Sequence, residues 1–182
     1  MKNTPDEEIL SLILDDATAN QGFRLLVSQN QEQLYWQIRK LVLVHDDADD
    51  VLQNVFIKIF KGIKNFNGKS KLSTWMFRIA YNESMTFLKK KARNLQLSSQ
   101  ELQEHLTEKL EADVYFTGDE IELALQKALL ELPDRQREVF NLRYYDDLKF
   151  KEIAEILDLT EGAVKSTYHI AAKKVEHFLK DH

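Results

Sequence analysis

The chain has 182 residues, 43% of them hydrophobic, and a formal net charge of −5, which leaves room for one medium domain or two small ones with a buried core. It has no cysteine, which excludes disulfides, thiolate metal sites and a cysteine nucleophile. Five glycines and two prolines among many Leu, Lys, Glu, Gln and Ala favour helix throughout.

The charge is unevenly placed. Residues 1–57 hold four Lys/Arg against ten Asp/Glu, residues 58–93 hold ten against one, residues 94–134 hold two against ten, and residues 135–182 hold nine of each. One strongly basic segment thus lies between two acidic ones. A phosphate backbone would meet that segment, and the acidic parts would face protein or water. The opening MKNTPDEEILSLIL is too acidic, and its apolar run too short, for a signal peptide. No stretch approaches the roughly 20 apolar residues of a membrane span, so we expect no membrane span and a cytoplasmic location.

In chain order, residues 7–17 predict a short amphipathic helix with Ile9, Leu10, Leu12, Ile13 and Leu14 on its apolar side. A second pattern, from Phe23 to Val44, runs through Leu26, Leu34, Ile38 and Leu41. The next helix opens HDDADD from His45 to Asp50 and continues Val51, Val55, Ile59 and Ile63 at helical spacing. Acids in a first turn are favoured by the helix dipole and the free backbone N–H groups. As a metal site His45 and its aspartates lack a second ligand cluster. A protein-docking face is the better reading, because Asp50, Gln53 and Asn54 extend the polar side.

The basic segment follows, with Lys58, Lys61 and Lys64, a loop from Phe66 to Lys71, and a helix from Ser73 onward. Leu72, Trp75, Met76, Ile79, Ala80, Phe87 and Leu88 form that helix's predicted buried stripe, and Arg78, Asn82, Met85 and Lys89 lie outside it. The loop Asn67 to Lys71 is polar, glycine-containing, doubly charged and flanked by aromatics. Single-stranded DNA binding uses such groups, with cations on phosphates and planar or amide groups on unpaired bases. Trp75 reads more readily as core than as a stacking platform.

Residues 94–118 turn acidic and lose periodicity, which predicts a linker with at most a weak helix. A helix from about Asp119 to Leu132 comes next, then one with Pro133 in its first turn, carrying Arg137, Val139, Phe140 and Leu142. Phe150 to Leu179 reads as two helices around a tight turn. Ile153, Ala154, Ile156 and Leu157 are apolar on the first, and Val164, Tyr168, Ala171, Val175, Phe178 and Leu179 on the second. Asp158 tolerates a left-handed backbone and Thr160 supplies a capping hydroxyl, so this is a helix-turn-helix pattern. Ser166, His169 and Lys173 point away from the stripe with Lys165 at its flank, a polar cationic face suited to the major groove.

The predicted architecture is all-α, with two small helical domains joined by a flexible linker and a helix-turn-helix in the second. Their bounds are 1–93, 94–118 and 119–182. The histidines His45, His105, His169, His177 and His182 show no metal-ligand spacing, the glycines form no phosphate loop, and Ser84 and Ser166 lack a nucleophile elbow. We expect no enzyme and no cofactor.

Both halves, in this order, resemble the extracytoplasmic-function (ECF) group of bacterial RNA polymerase sigma factors. The likeness lies in DDADDVLQNVFIKIFKGIKNF (Asp46 to Phe66), LSTWMFRIAYN (Leu72 to Asn82) and the stretch from Leu132 to His169. It implies docking on core RNA polymerase through Asp47, Asp49, Asp50, Gln53 and Asn54. It also implies capture of the minus-ten strand of promoter DNA by Lys61, Lys64, Asn67, Gly68, Lys69, Ser70, Lys71, Ser73, Thr74, Arg78 and Asn82. The minus-thirty-five duplex would be read by Thr160, Lys165, Ser166, Thr167, His169 and Lys173. Where the family often has arginines on the reading helix, this chain has Thr167, Ile170 and Ala172. The acidic linker leaves room for an anti-sigma factor that holds the domains shut. The competing reading is a helix-turn-helix regulator that binds duplex operator DNA without polymerase, which would need a sensor or dimer surface in residues 1–93.

Overall fold

A computed structural model describes residues 4–117 and 119–181; Met1 to Asn3 of the opening peptide, Gly118 at the end of the acidic stretch and His182 among the histidines lie outside them. Among the described residues the chain is all α-helix apart from turns, with no strand, in keeping with the all-α class read from the sequence. Helices α1 (Asp6–Leu14) and α2 (Ala19–Val42) pack closely at Gly22, where a Cβ would come within 2.8 Å of the Ile13 backbone nitrogen. Leu43 adopts a left-handed conformation (φ 61°) and returns its N–H to the Arg39 carbonyl, so the chain turns directly into α3 (His45–Gly62). A 3-10 turn (Ile63–Asn65) and the basic loop lead to α4 (Leu72–Asn94), which packs on α2 and α3.

The stretch 94–118 departs from the expectation. It holds α5 (Ser99–Glu111) and the single turn α6 (Val114–Thr117). Ser98 starts α5 with a reciprocal cap: its hydroxyl accepts the Glu101 N–H and its own N–H donates to the Glu101 carboxylate at 2.7 Å. Leu106 and Leu110, one turn apart, are buried. This cap and a leucine every fourth residue are the signal that the acidic composition obscured.

The remaining helices are α7 (Glu120–Leu130), α8 (Asp134–Tyr144), α9 (Phe150–Leu157) and α10 (Glu161–Asp181). Pro133 lies just outside α8, its carbonyl accepting the N–H groups of Gln136 and Arg137. The turn between α9 and α10 is built as its residues dictate. Asp158 takes a left-handed conformation (φ 55°, ψ 52°), and the Thr160 hydroxyl accepts the Ala163 N–H at 3.2 Å. Val164, Ala171 and Val175 are buried and Tyr168 and Phe178 half-buried. Leu179 is 39% exposed, because at about 100° per residue it stands roughly 60° round from Val164, at the edge of the stripe.

The second half packs on the first, with α9 against α4 and α8 against α2. One continuous apolar core runs from Ile9 to Val164. Having neighbours on more than one side, α4 buries Thr74, Phe77, Tyr81 and Ser84 as well as Leu72, Met76, Ala80 and Leu88, while Trp75, Ile79 and Phe87 are only half-buried. Polar groups span the seam between the halves. The buried Arg39 guanidinium bonds the Leu43 carbonyl and the Asp113 carboxylate and lies over the Phe116 ring. The Lys40 ammonium sits 3.8 Å from the Tyr145 ring centre. Burial pushes the Tyr81 hydroxyl upward, and a hydrogen bond to Glu138 adds to the shift; burial likewise raises Glu138 itself. Burial raises the Asp146 carboxyl to about 7, against the opposing pull of Lys40, and lowers the Lys40 amine against Asp146 and Glu122.

Two outcomes follow from this packing. Replacing Thr160 with Ala removes the α10 cap and should lower stability by about 1 kcal/mol, read as a drop of a few degrees in melting temperature. Asp146 binds its proton more tightly when folded than when exposed, so its contribution is greatest below about pH 4 and is lost as pH rises towards 7. Between pH 5 and 8 the wild-type chain should therefore lose about 2 kcal/mol more stability than Asp146→Asn, measured by urea unfolding at each pH.

Candidate nucleic-acid and polymerase interfaces

The basic loop starts where α3 runs into its 3-10 turn. Gly68 has φ 68°, a conformation that suits glycine, and the Asn67 side-chain oxygen accepts the Lys69 N–H at 3.1 Å, which closes the bend locally. Lys71 stands at the N-terminal end of α4 with no side-chain cap there, so the first backbone N–H groups of the helix add positive potential to the two loop lysines.

Between the loop and α4 lies a cavity of about 450 Å³ walled by Phe66, Asn67, Lys69, Ser70, Thr74, Trp75 and Arg78. The Phe66 and Trp75 rings meet at 5.4 Å, and half-buried Trp75 thus belongs both to the core edge and to the cavity wall. Asn67, Gly68, Lys69, Lys71, Arg78 and Asn82 are exposed, and Ser70 and Ser73 half-buried. Thr74 is 2% exposed and, among the described residues, its hydroxyl has no hydrogen-bond partner, an arrangement that costs about 1–3 kcal/mol for a buried polar group. Lys61 and Lys64 are exposed one turn earlier, with Lys64 paired to Asp16 at 2.8 Å. Asn65 and, from the second half, Glu155 and Asp158 complete the walls of the cavity. Beside them Lys71 pairs with Glu152 at 2.6 Å, a hydrogen bond that holds the lysine above its ordinary range and the carboxyl below its own.

A second groove, of about 520 Å³, runs between the start of α3 and the end of α4. Four of the five residues assigned to docking line it: Asp47, Asp50, Gln53 and Asn54. Asp49 lies one face over, 3.6 Å from His45. The opposite wall was not legible in the sequence: Phe87, Lys90, Lys91, Asn94 and Leu95, with Lys91 ion-paired to Asp47. Ile57, 51% exposed among polar neighbours, completes an amphipathic rim. An apolar residue in the polar register of α3 was the available signal.

On α10 the predicted outward face is outward. Thr160, Lys165, Ser166, His169 and Lys173 are exposed and Thr167 half-buried. Lys165 pairs with Glu161 one turn earlier at 2.7 Å. Ile170 joins this face at 50% exposure. Among the described residues no helix is long and apolar enough to cross a membrane.

The comparisons with known proteins agree on both halves. Residues 26–94 match Sigma-70 region 2 and residues 122–175 match Sigma-70, region 4. The chain is 34% identical over 168 residues to the ECF RNA polymerase sigma factor SigW of Bacillus subtilis (strain 168), covering 88% of this chain and 90% of that protein. Its fold is similar to that of CnrH in complex with the cytosolic domain of CnrY, with a TM-score of 0.71, 20% identity and 97% of each chain covered. It is also similar to that of the sigma factor RpoE in complex with the anti-sigma factor NepR from Bartonella quintana, with a TM-score of 0.67, 23% identity, and 87% of this chain and 96% of that one covered. A helix-turn-helix behind a cationic loop and a carboxylate-lined groove, in this order and with this relative, is no free-standing operator binder: the chain belongs to the ECF RNA polymerase sigma factors.

Proposed function

We propose that this ECF sigma factor divides promoter recognition between two DNA surfaces and reserves a third for core RNA polymerase. In residues 1–93 the groove bearing Asp47, Asp50, Gln53 and Asn54, with Asp49 beside it, receives the polymerase. The loop Asn67 to Lys71, with Lys61, Lys64, Ser73, Thr74, Arg78 and Asn82, captures the minus-ten strand. Residues 119–182 present α10 to the minus-thirty-five duplex through Thr160, Lys165, Ser166, Thr167, His169 and Lys173, and residues 94–118 tether the two.

The observation that carries this reading is the cavity beside the loop: two aromatic rings, an asparagine and flanking cations at a helix N-terminus suit a displaced base and its phosphates. Flipping a base out of the stack costs a few kcal/mol. Binding energy from the docked polymerase and the held strand offsets it. The chain supplies binding and specificity and no catalysis, and it works in the cytoplasm, where the polymerase is. An anti-sigma factor is a third partner, as one is for the RpoE of similar fold.

Core polymerase with this protein should initiate specific transcripts from duplex promoters that core alone does not. In the same assay Lys69→Glu with Lys71→Glu should reduce open-complex formation at least tenfold and leave polymerase association unchanged. Asp50→Arg should do the reverse. Equal loss of association in both would refute the division of labour.

A further inference from the structure

The outward face of α10 is not uniformly polar. Ile170 is 50% exposed and packs in neither apolar core. At about 100° per residue it stands roughly 120° round from Val164, well off the buried stripe. Ala163, also exposed, comes seven residues earlier, which puts the two about 20° apart around the helix and about 10 Å apart along it. Thr167, half-buried, lies between them. Lys165, His169 and Lys173 are exposed at every fourth residue on the other edge, and Ser166 sits where the edges meet. The face therefore has a cationic side and an apolar side.

Each side suits a different part of a DNA major groove. Cations meet the phosphates that wall it, and they do so for any sequence. The apolar side cannot hydrogen-bond to a base edge. The one apolar group that a base pair presents in the major groove is the C5 methyl of thymine. From Glu161 to Asp181 there is no arginine, the side chain best suited to reading guanine by a forked pair of hydrogen bonds. Close approach is also provided for. A Cβ on Gly162 would meet nothing within 4 Å, so packing inside the protein does not call for glycine there. Glycine weakens a helix relative to alanine, and this one leaves the backbone bare one turn before Ser166, where the groove floor would come nearest. A protein partner on Ile170 would have to share the face with the duplex, since Ser166 and Lys173 lie within one turn of it.

Resting on the assignment of α10 to the minus-thirty-five duplex, we propose that Ile170 is a specificity-determining residue that reads a thymine methyl group in that element. Ala163 extends the same apolar edge towards the start of the helix. Lys165, His169 and Lys173 hold the phosphates and set affinity, while Ile170 selects an A·T pair with its thymine on the strand that faces the apolar edge.

Replacing thymine by deoxyuridine tests this directly, because the exchange removes the C5 methyl and leaves every hydrogen-bonding group in place. The probe is a duplex promoter that the holoenzyme transcribes, with each thymine of its minus-thirty-five element exchanged singly, and the readout is holoenzyme affinity. At one thymine the wild-type holoenzyme should lose about fourfold, the worth of one buried methyl group. Ile170→Ala should bind the thymine and deoxyuridine duplexes alike at that position, and Ile170→Val should keep most of the difference. Both variants should associate with core polymerase as wild type does. A minus-thirty-five element without an A·T pair, equal wild-type affinity at every exchanged position, or a penalty that survives in Ile170→Ala overturns the proposal. Loss of core association in Ile170→Ala overturns it as well and assigns the residue to a polymerase surface. If Lys165→Glu with Lys173→Glu leaves promoter affinity unaltered, α10 is not the reading helix and the assignment beneath the proposal fails; a normal loss in that variant beside equal thymine and deoxyuridine affinities removes the methyl contact alone.

Discussion

The organising constraint is that one helix, α4, must serve two sets of neighbours. Its apolar residues complete the core with α2 and α3, and its N-terminal end meets α9. A helix packed on one side needs a single stripe, but one packed on several sides buries polar residues too, which is why Thr74, Tyr81 and Ser84 are covered. Ser84 is satisfied by the Ala80 carbonyl and Tyr81 by Glu138, whereas Thr74 is not. The unmet polar group therefore falls on α4 beside the loop.

A chain of net charge −5 can address DNA because its charges are segregated. The cations cluster from Lys58 to Arg93, and internal partners already hold several of them: Glu83 for Lys58, Asp16 for Lys64, Glu152 for Lys71 and Asp47 for Lys91. The exposed pairs among them, such as Lys64 with Asp16, are worth little individually and yield to competing phosphates or to salt, whereas Lys91 and Asp47 are both largely covered. Lys69 and Arg78 carry no ion pair among the described residues and remain available at the cavity.

What could be read from the sequence was what local chemistry decides. Asp158 and Thr160 announce their turn because the backbone conformation and the cap involve neighbours in the chain. The polar face of α3 and the loop were legible for the same reason. Helix α5 was missed although its cap, Ser98 and Glu101, was on view, because acidity and weak hydropathy outweighed a three-turn pattern. The seam lay beyond reach altogether. Pairs such as Lys71 with Glu152, or Tyr81 with Glu138, join residues far apart in the chain, and the far wall of the docking groove is equally non-local.

Helix α5 bears on how far apart the two halves can travel. Its thirteen residues cover about 20 Å while coiled and about 43 Å when drawn out. The connection is thus a reel whose slack is stored in local hydrogen bonds, and paying it out would withdraw Leu106 and Leu110 from the core. Length gained there is offset by lost burial, so this connection resists stretching more than an unstructured segment of equal size would.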